Sequence, residues 1–320
     1  MRFLIVGGAG FIGSNLVDYL LENNQEVMIV DNFLTGSVNN IEQALVDKNF
    51  HLCEHSKVKL RYITQTDFII VLSASVGVDY LERNPRDSVL NNLDTLKKIL
   101  YLNSNVKAKK PLLYASSSEV YGNSSKIPFK ENQDLSIGNP EASTRWGYSC
   151  SKLMGEFLVR AYLDTFPSVI IRPFNIFGPK QVSDYGMVIP SFIEKCIKNE
   201  DIEIYGDGSQ TRCFCYIKDA VKAITSLIVT KRCYGSTFNI GNPKEEITML
   251  DLAAKIRYGI FTDSTSGIDR KIKRNYRNNV DVLRRVPSID KVKQYISWKP
   301  KYTLAEALIE TSSYYKKIIK

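Results

Sequence analysis

Apolar residues run without interruption at Phe3-Leu4-Ile5-Val6, in the Val27–Val30 stretch, and at Leu112-Leu113-Tyr114-Ala115. Short runs with no polar alternation predict strands buried on both faces, as in a parallel sheet covered by helices. Similar runs predict strands around 50–54, 68–73, 111–116 and 168–173, and helical spacing appears between them, around 14–23, 86–102 and 146–165. In the last helix Leu153, Phe157, Leu158 and Ala161 form the expected buried side. Strands alternating with helices predict an α/β fold built on a doubly wound parallel sheet. We place this sheet in residues 1–177 and a smaller C-terminal substrate-binding lobe in 178–320, with the chain returning to the first lobe around 211–241, where "CFCYIKDAVKAITSLIV" resumes the strand and helix pattern.

The first strand leads into "GGAGFIGSNLVDYLLENN", which supplies Gly7, Gly10 and Gly13 and then a helix. A tight turn uses the first glycine, close approach of backbone to a pyrophosphate uses the second, and helix-on-strand packing uses the third. The helix N-terminus adds free N–H groups and the positive end of its dipole. Phe11 and Ile12 fall within this phosphate loop. The next apolar run, "EVMIV", ends at Asp31, followed by Asn32. An acid there accepts hydrogen bonds from an adenosine ribose 2′-OH and repels a 2′-phosphate, which favours NAD over NADP. The plain alternative is that Asp31 caps a loop. No acidic pair suited to adenine stands between Phe50 and Asp67.

Composition excludes more than it suggests. The 44% hydrophobic and 24% charged content fits a globular chain rather than disorder. A net charge of +9 raises nucleic acid or an anionic surface as partners, yet the basic residues are scattered apart from Lys271–Arg277 and the C-terminal tail, so neither nucleic acid nor membrane is expected. Six cysteines without metal-like spacing to His51 or His55 read as reduced thiols of a cytosol-like compartment. No metal is expected. The N-terminal run is a strand rather than a signal peptide, which places the protein in the cytoplasm.

Two stretches carry candidate chemistry. "SSSEVYG" sets Ser117, Ser118 and Glu119 where the strand near 112–115 ends, and "RWGYSCSKLMGEF" sets Tyr148 and Lys152 four residues apart, on one helical face. An ammonium beside a phenol favours the phenolate and lowers its pKa, making Tyr148 a general base for a sugar hydroxyl. Such a pair also occurs on ordinary helix surfaces.

Taken together, the glycine motif, Asp31, "SSSEVYG", Tyr148 with Lys152, "RPFNIFGPKQ" and "YGDGSQTRCFCYIKD" occur in the order that resembles extended short-chain dehydrogenases/reductases. Within these the chain is similar to the NAD-dependent nucleotide-sugar epimerase/dehydratase/decarboxylase family, through "WKPKYTLAEAL" near the end. The resemblance implies a Rossmann-type NAD domain. It also implies that Ser117 passes a substrate proton, Tyr148 is the base, and Lys152 tunes it and holds the nicotinamide ribose. Asn91 would order the region of the active-site lysine, Asn175 would contact substrate, and Arg212 and Arg285 would face the substrate diphosphate. Each has a structural alternative: Asn175 as a strand cap, the two arginines as surface residues. The alternation of Arg212, Phe214 and Tyr216 against Thr211, Cys213 and Cys215 predicts one continuous strand. Tyr185 and Phe192 are candidates for a base pocket or for packing.

The shared first step is removal of the C4 hydroxyl proton as C4 gives hydride to NAD, leaving a 4-ketone. Return of hydride to the other face is epimerisation. A base at C5 drives 4,6-dehydration, and a C6 carboxylate leaves as CO2. Decarboxylases similar to this chain carry Ser-Glu at 118–119, and "STRWGYSCSK" resembles the Arg-Trp-x-Tyr run of some UDP-glucuronate decarboxylases, whereas "DYGMVIPSF" recurs in relatives labelled epimerases. UDP-glucuronate decarboxylation therefore stands ahead of UDP-sugar 4-epimerisation and then dehydration, and Glu119 in a purely orienting role stays open. A noncatalytic NAD-binding regulator could dispense with Ser117, Tyr148 and Lys152, which are all present. Family resemblance further implies a homodimer packed through helices near 88–102 and 146–163.

Overall fold

The computed structural model describes residues 1–53, 58–74, 83–183, 187–261, 272–275 and 283–319. Tyr185, His55, Lys271 and Arg277 lie outside these. The apolar runs form β1 (Arg2–Val6), β2 (Glu26–Val30), β3 (Phe50–Leu52), β4 (Phe68–Val71), β5 (Leu112–Ala115) and β6 (Ser168–Pro173). The chain then makes β7 (Ile176–Phe177), β8 (Ile202–Tyr205), β9 (Thr211–Cys213) and β10 (Cys215–Tyr216). It rejoins the large sheet with β11 (Thr237–Ile240), and continues through β12 (Glu246–Thr248), β13 (Ile272–Asn275) and β14 (Arg284–Arg285).

The large sheet has the order β11-β6-β5-β4-β1-β2-β3 with every neighbour parallel. Strand order reverses between β1 and β4, so the crevice outside their carboxyl ends is the topological switch point, where doubly wound sheets bind ligands. Alternation within the strands divides the core in two. Phe3, Ile5, Val27, Ile29 and Leu113 face one layer, with the helices Phe11–Glu22 and Ile217–Val229. Leu4, Val6, Met28, Val30, Leu112 and Tyr114 face the other, with Leu96, Ile99 and Leu100 of the helix Pro85–Asn105.

Beyond this sheet, β8 pairs with β13, and β9 lies between β12 and β14. The single strand expected across 211–216 is two. Asn175, in the left-handed region at φ 39°, donates its side-chain amide to Cys213 O at 3.2 Å, and its own carbonyl accepts from Cys215 N. The chain thereby switches from the small sheet at Cys213 to pairing with β7 at Cys215. Cys213, Phe214, Cys215 and Tyr216 are all buried, so the alternation does not separate an inner from an outer face. Phe192 packs in the core. Among the described residues no helix is long and apolar enough to cross a membrane.

Candidate active site

At the switch point, Gly7 takes φ +87°, and a Cβ there would lie 2.7 Å from Ser73 N at the end of β4. Gly13 is more constrained by space: its Cβ would meet Gly7 O at 2.1 Å, so the first helical turn rests directly on the glycine loop. Gly10 caps the helix that Phe11 and Ile12 begin, with Ser14 N donating to Gly10 O. Asp31, at the end of β2, is buried and accepts from Ala9 N and from Phe33 N, each at 2.8 Å. It holds the loop as the plain reading expects, and each carboxylate oxygen retains a further lone pair. Asn32 is exposed and accepts from Leu34 N at 3.1 Å. The buried hydroxyls of Ser73 and Ser116, beyond the ends of β4 and β5, have no hydrogen-bond partner among the described residues.

At the end of β5, Ser117 caps the short 3-10 turn Ser118–Tyr121 and accepts from Glu119 N at 3.1 Å. Ser118 is buried in that turn. Tyr148 and Lys152 approach from the helix Arg145–Ala161, and both are buried. Lys152 Nζ donates to Ala115 O at 2.7 Å and stands 5.0 Å from the centre of the Tyr114 ring. Burial pushes the Lys152 ammonium down to about 7, against the pull of Glu156 one turn further on. The Tyr148 phenol is pushed up, not down: desolvation dominates, the Glu119 charge adds to it, and the Ser117 hydroxyl works the other way. Burial thus outweighs the lowering expected from Lys152, whose Nζ donates to the Ala115 carbonyl.

The inward face of this helix also differs from expectation. Ser151, Lys152, Glu156 and Val159 point inward, while Phe157 is 62% exposed and Ala161 lies outside with it. The apolar stripe at Met154, Phe157 and Ala161 faces away from the core, and the core side carries charge. Glu156 makes this tolerable by pairing bidentately with Arg172 of β6, Oε1 to Nε at 2.9 Å and Oε2 to Nη2 at 2.7 Å.

Asn91 is exposed and does not reach the lysine region. Its neighbour Asn92 does, donating to Ser151 Oγ at 3.1 Å beside Lys152. A helix turns about 100° per residue, and the inner face runs through Ser88, Asn92, Leu96 and Ile99. That periodicity was available in the sequence as the signal for Asn92. Asn175, as described, spends its amide on Cys213 O.

Arg212 and Arg285 are register partners on β9 and β14, which sets two guanidinium-bearing chains side by side. Arg212 Nη1 donates to Thr211 O at 2.8 Å. Arg285, only 3% exposed, turns to Glu119 and binds both of its oxygens, Nη2 to Oε2 at 2.9 Å and Nη1 to Oε1. No local pattern marks this pairing, since the residues are 166 positions apart. Ser117, Glu119, Tyr148, Lys152 and Arg285 are thus brought to the carboxyl end of β5.

Residues 3–241 match the family model described as the NAD dependent epimerase/dehydratase family. The chain belongs to that family. It is 34% identical to a UDP-N-acetyl-alpha-D-glucosaminuronate decarboxylase of Bacillus cytotoxicus, over 99% of this chain and 98% of the relative. It is also 34% identical to UDP-glucuronic acid decarboxylase 1 of Danio rerio, over 99% of this chain and 73% of that protein. The UDP-glucuronic acid 4-epimerase of Bacillus cereus, solved with UDP-glucuronic acid and NAD, superimposes with a TM-score of 0.87 at 27% identity, covering 99% of this chain and 100% of the other. The cofactor of this family is NAD, and the residues fit it. Gly7 and Gly13 let the loop close tightly against Ser73 and against its own backbone at the helix start, Asp31 directly follows β2, and the unpartnered Ser73 and Ser116 hydroxyls lie beyond the ends of β4 and β5.

Proposed function

We propose that this family member is a UDP-hexuronate decarboxylase acting on UDP-glucuronate or a close relative of it. The observation that carries the reading is the clamped Glu119–Arg285 pair beside Ser117 and Tyr148. Gly7, Gly10, Phe11, Ile12 and Gly13 would hold the pyrophosphate of NAD, Asp31 and Asn32 its adenosine ribose, and Lys152 its nicotinamide ribose. Bound NAD supplies the reversible hydride acceptor for C4 of the sugar.

Tyr148 must act as its phenolate against the burial that raises its pKa, and in that form it takes the O4 proton with Ser117 as relay, and a ketone forms at C4. The C6 carboxylate then lies β to that ketone. Arg285 offers it a cation, while the Glu119 charge repels it and relieves that repulsion when CO2 leaves neutral. The C5–C6 pair of electrons passes into the C4–C5 enolate, a proton is taken up at C5, and the C4 ketone is reduced again. Arg212 serves the diphosphate, and Ser118 and the side-chain oxygen of Asn175, whose amide nitrogen is held by Cys213 O, line the sugar. Arg285 thus moves from the diphosphate, where resemblance placed it, to the reacting end.

Two alternatives fit this pair less well. Dehydration needs a free base at C5, and a carboxylate held by both guanidinium nitrogens is a poor one. Simple C4 epimerisation of a neutral sugar needs neither residue. Incubation of the pure protein with NAD and UDP-glucuronate, UDP-N-acetylglucosaminuronate and UDP-glucose, read by product mass and sugar NMR, tests the proposal. Loss of CO2 from a uronate is expected. An unchanged mass with inverted C4, or a loss of water, would overturn it.

We also propose a homodimer. Leu90 and Tyr101 of the helix Pro85–Asn105, with Met154 and Phe157 of the helix Arg145–Ala161, are large apolar side chains at least half exposed on two neighbouring helices.

A further inference from the structure

Asn239 is a fully buried polar side chain in β11, paired in register with Arg172 of β6. All its polar atoms are engaged. Its Nδ2 donates to Phe129 O at 2.9 Å and to Ser288 O at 3.1 Å, and its Oδ1 accepts from the Tyr121 hydroxyl at 2.8 Å. Its backbone N–H donates to Glu131 Oε1 at 2.8 Å. Two carbonyls on one side and a phenol on the other fix which way the amide points. Burial pushes the phenol up to about 12, so it remains a donor.

These partners lead to the two members of the active-site pair. Tyr121 stands two residues after Glu119 in the same 3-10 turn, its ring stacked on Phe129 at 4.7 Å, with the Arg172 guanidinium 4.8 Å from its centre. Ser288 stands three residues after Arg285. Phe129 N donates to Val286 O at 2.7 Å, and Ser288 N to Phe129 O at 2.8 Å, so the segment after β14 is laced to the same place.

We infer that Asn239 is a positioning residue for the Glu119–Arg285 pair, holding the turn that carries the acid and the segment that follows the arginine at one fixed separation. The inference deepens the proposed function and rests on it for its kinetic consequence. Asn239 touches no substrate. An unsatisfied buried amide partner is costly, and a misplacement of about 1 Å in such a pair costs roughly a hundredfold in rate.

The test combines crystal structures with kinetics of Asn239→Asp, which keeps the shape and removes both donors, and of Tyr121→Phe, which removes one hydroxyl and remains informative if the first variant does not fold. Separation of the Arg285 guanidinium from the Glu119 carboxylate is expected in the crystals. The rate of CO2 release is expected to fall about tenfold to a hundredfold, with NAD affinity and C4 oxidation of UDP-glucose unchanged. Combined with Glu119→Gln, the losses should fail to multiply, as for residues acting through one another. An intact pair in both variants, or fully multiplicative losses, would overturn the inference. Should the unmodified protein release no CO2 from any uronate, the functional reading fails by itself, and the crystallographic separation still decides the role of Asn239.

Discussion

Arg285 and Glu119 form a bidentate pair across 166 positions of chain, Nη2 to Oε2 at 2.9 Å. The guanidinium comes from β14 of the small sheet and the carboxylate from the turn after β5, so the contact joins the small sheet to the carboxyl end of the large one. Glu119→Gln keeps the side chain's shape and removes its charge. We expect it to retain NAD binding and C4 oxidation of UDP-glucose while CO2 release from UDP-glucuronate falls at least roughly a hundredfold. Full CO2 release by this variant, measured as gas or product mass, would rule out a part for Glu119 in the chemistry.

Tyr148→Phe removes the phenolic oxygen and leaves the packing. The first half-reaction should slow by about 10² to 10⁴ on every sugar nucleotide, seen as NADH absorbance after mixing. A wild-type rate would show that another group takes the O4 proton.

Lys152 gives a stability signature with a definite sign. Its ordinary value is 10.5, and burial lowers it to about 7 in the folded chain. Between those values the unfolded chain binds the extra proton, so stability rises with pH across this window, is complete above about 10.5, and is lost as pH falls through about 7. Denaturant midpoints of the wild type relative to Lys152→Met should climb from pH 7 upwards and stay level below it. A flat difference throughout would contradict the buried ammonium.

Asn91 and Asn92 offer a paired control. Asn92→Ala leaves the Ser151 hydroxyl short of a buried partner and should cost about 1–3 kcal/mol with reduced activity. Asn91→Ala, on the exposed side, should stay within about 0.5 kcal/mol of wild type. Chemical denaturation reads both, and the reverse ranking would contradict the helix phase.

The outward stripe at Met154 and Phe157 predicts association. Phe157→Glu should shift the protein to the monomer in sedimentation velocity at concentrations where the wild type is a dimer. A wild-type monomer would remove the basis for that interface.

Much of the fold was legible because its signals are local. Runs such as Phe3–Val6 and Leu112–Ala115 lack polar alternation since helices cover both faces of the sheet, and Gly7 and Gly13 are required where backbone passes backbone. The four-residue spacing put Tyr148 and Lys152 on one face, and Ser117 with Glu119 at a strand end. Hydrophobicity misled where charge occupies the core side: in the helix Arg145–Ala161 the buried positions hold Lys152 and Glu156, and the apolar Phe157 is outside. Asn91, named by resemblance, is exposed while its neighbour Asn92 is buried against Ser151, because helical rotation of about 100° reverses exposure within a step or two.

The sequence by itself determined the strand and helix order, the glycine turn and the placing of Ser117 at a strand end and of Tyr148 and Lys152 on one helix, all of which depend on residues close in the chain. Only the tertiary structure decided where Arg285 points, which asparagine bonds Ser151, and that Asn239 ties Tyr121 to Ser288. Those contacts join segments more than a hundred residues apart in the case of Glu119 with Arg285 and Tyr121 with Asn239, and no local spacing encodes them. Their geometry follows from satisfying buried polar atoms in three dimensions, a condition set by the packed sheet and not by any one stretch of it.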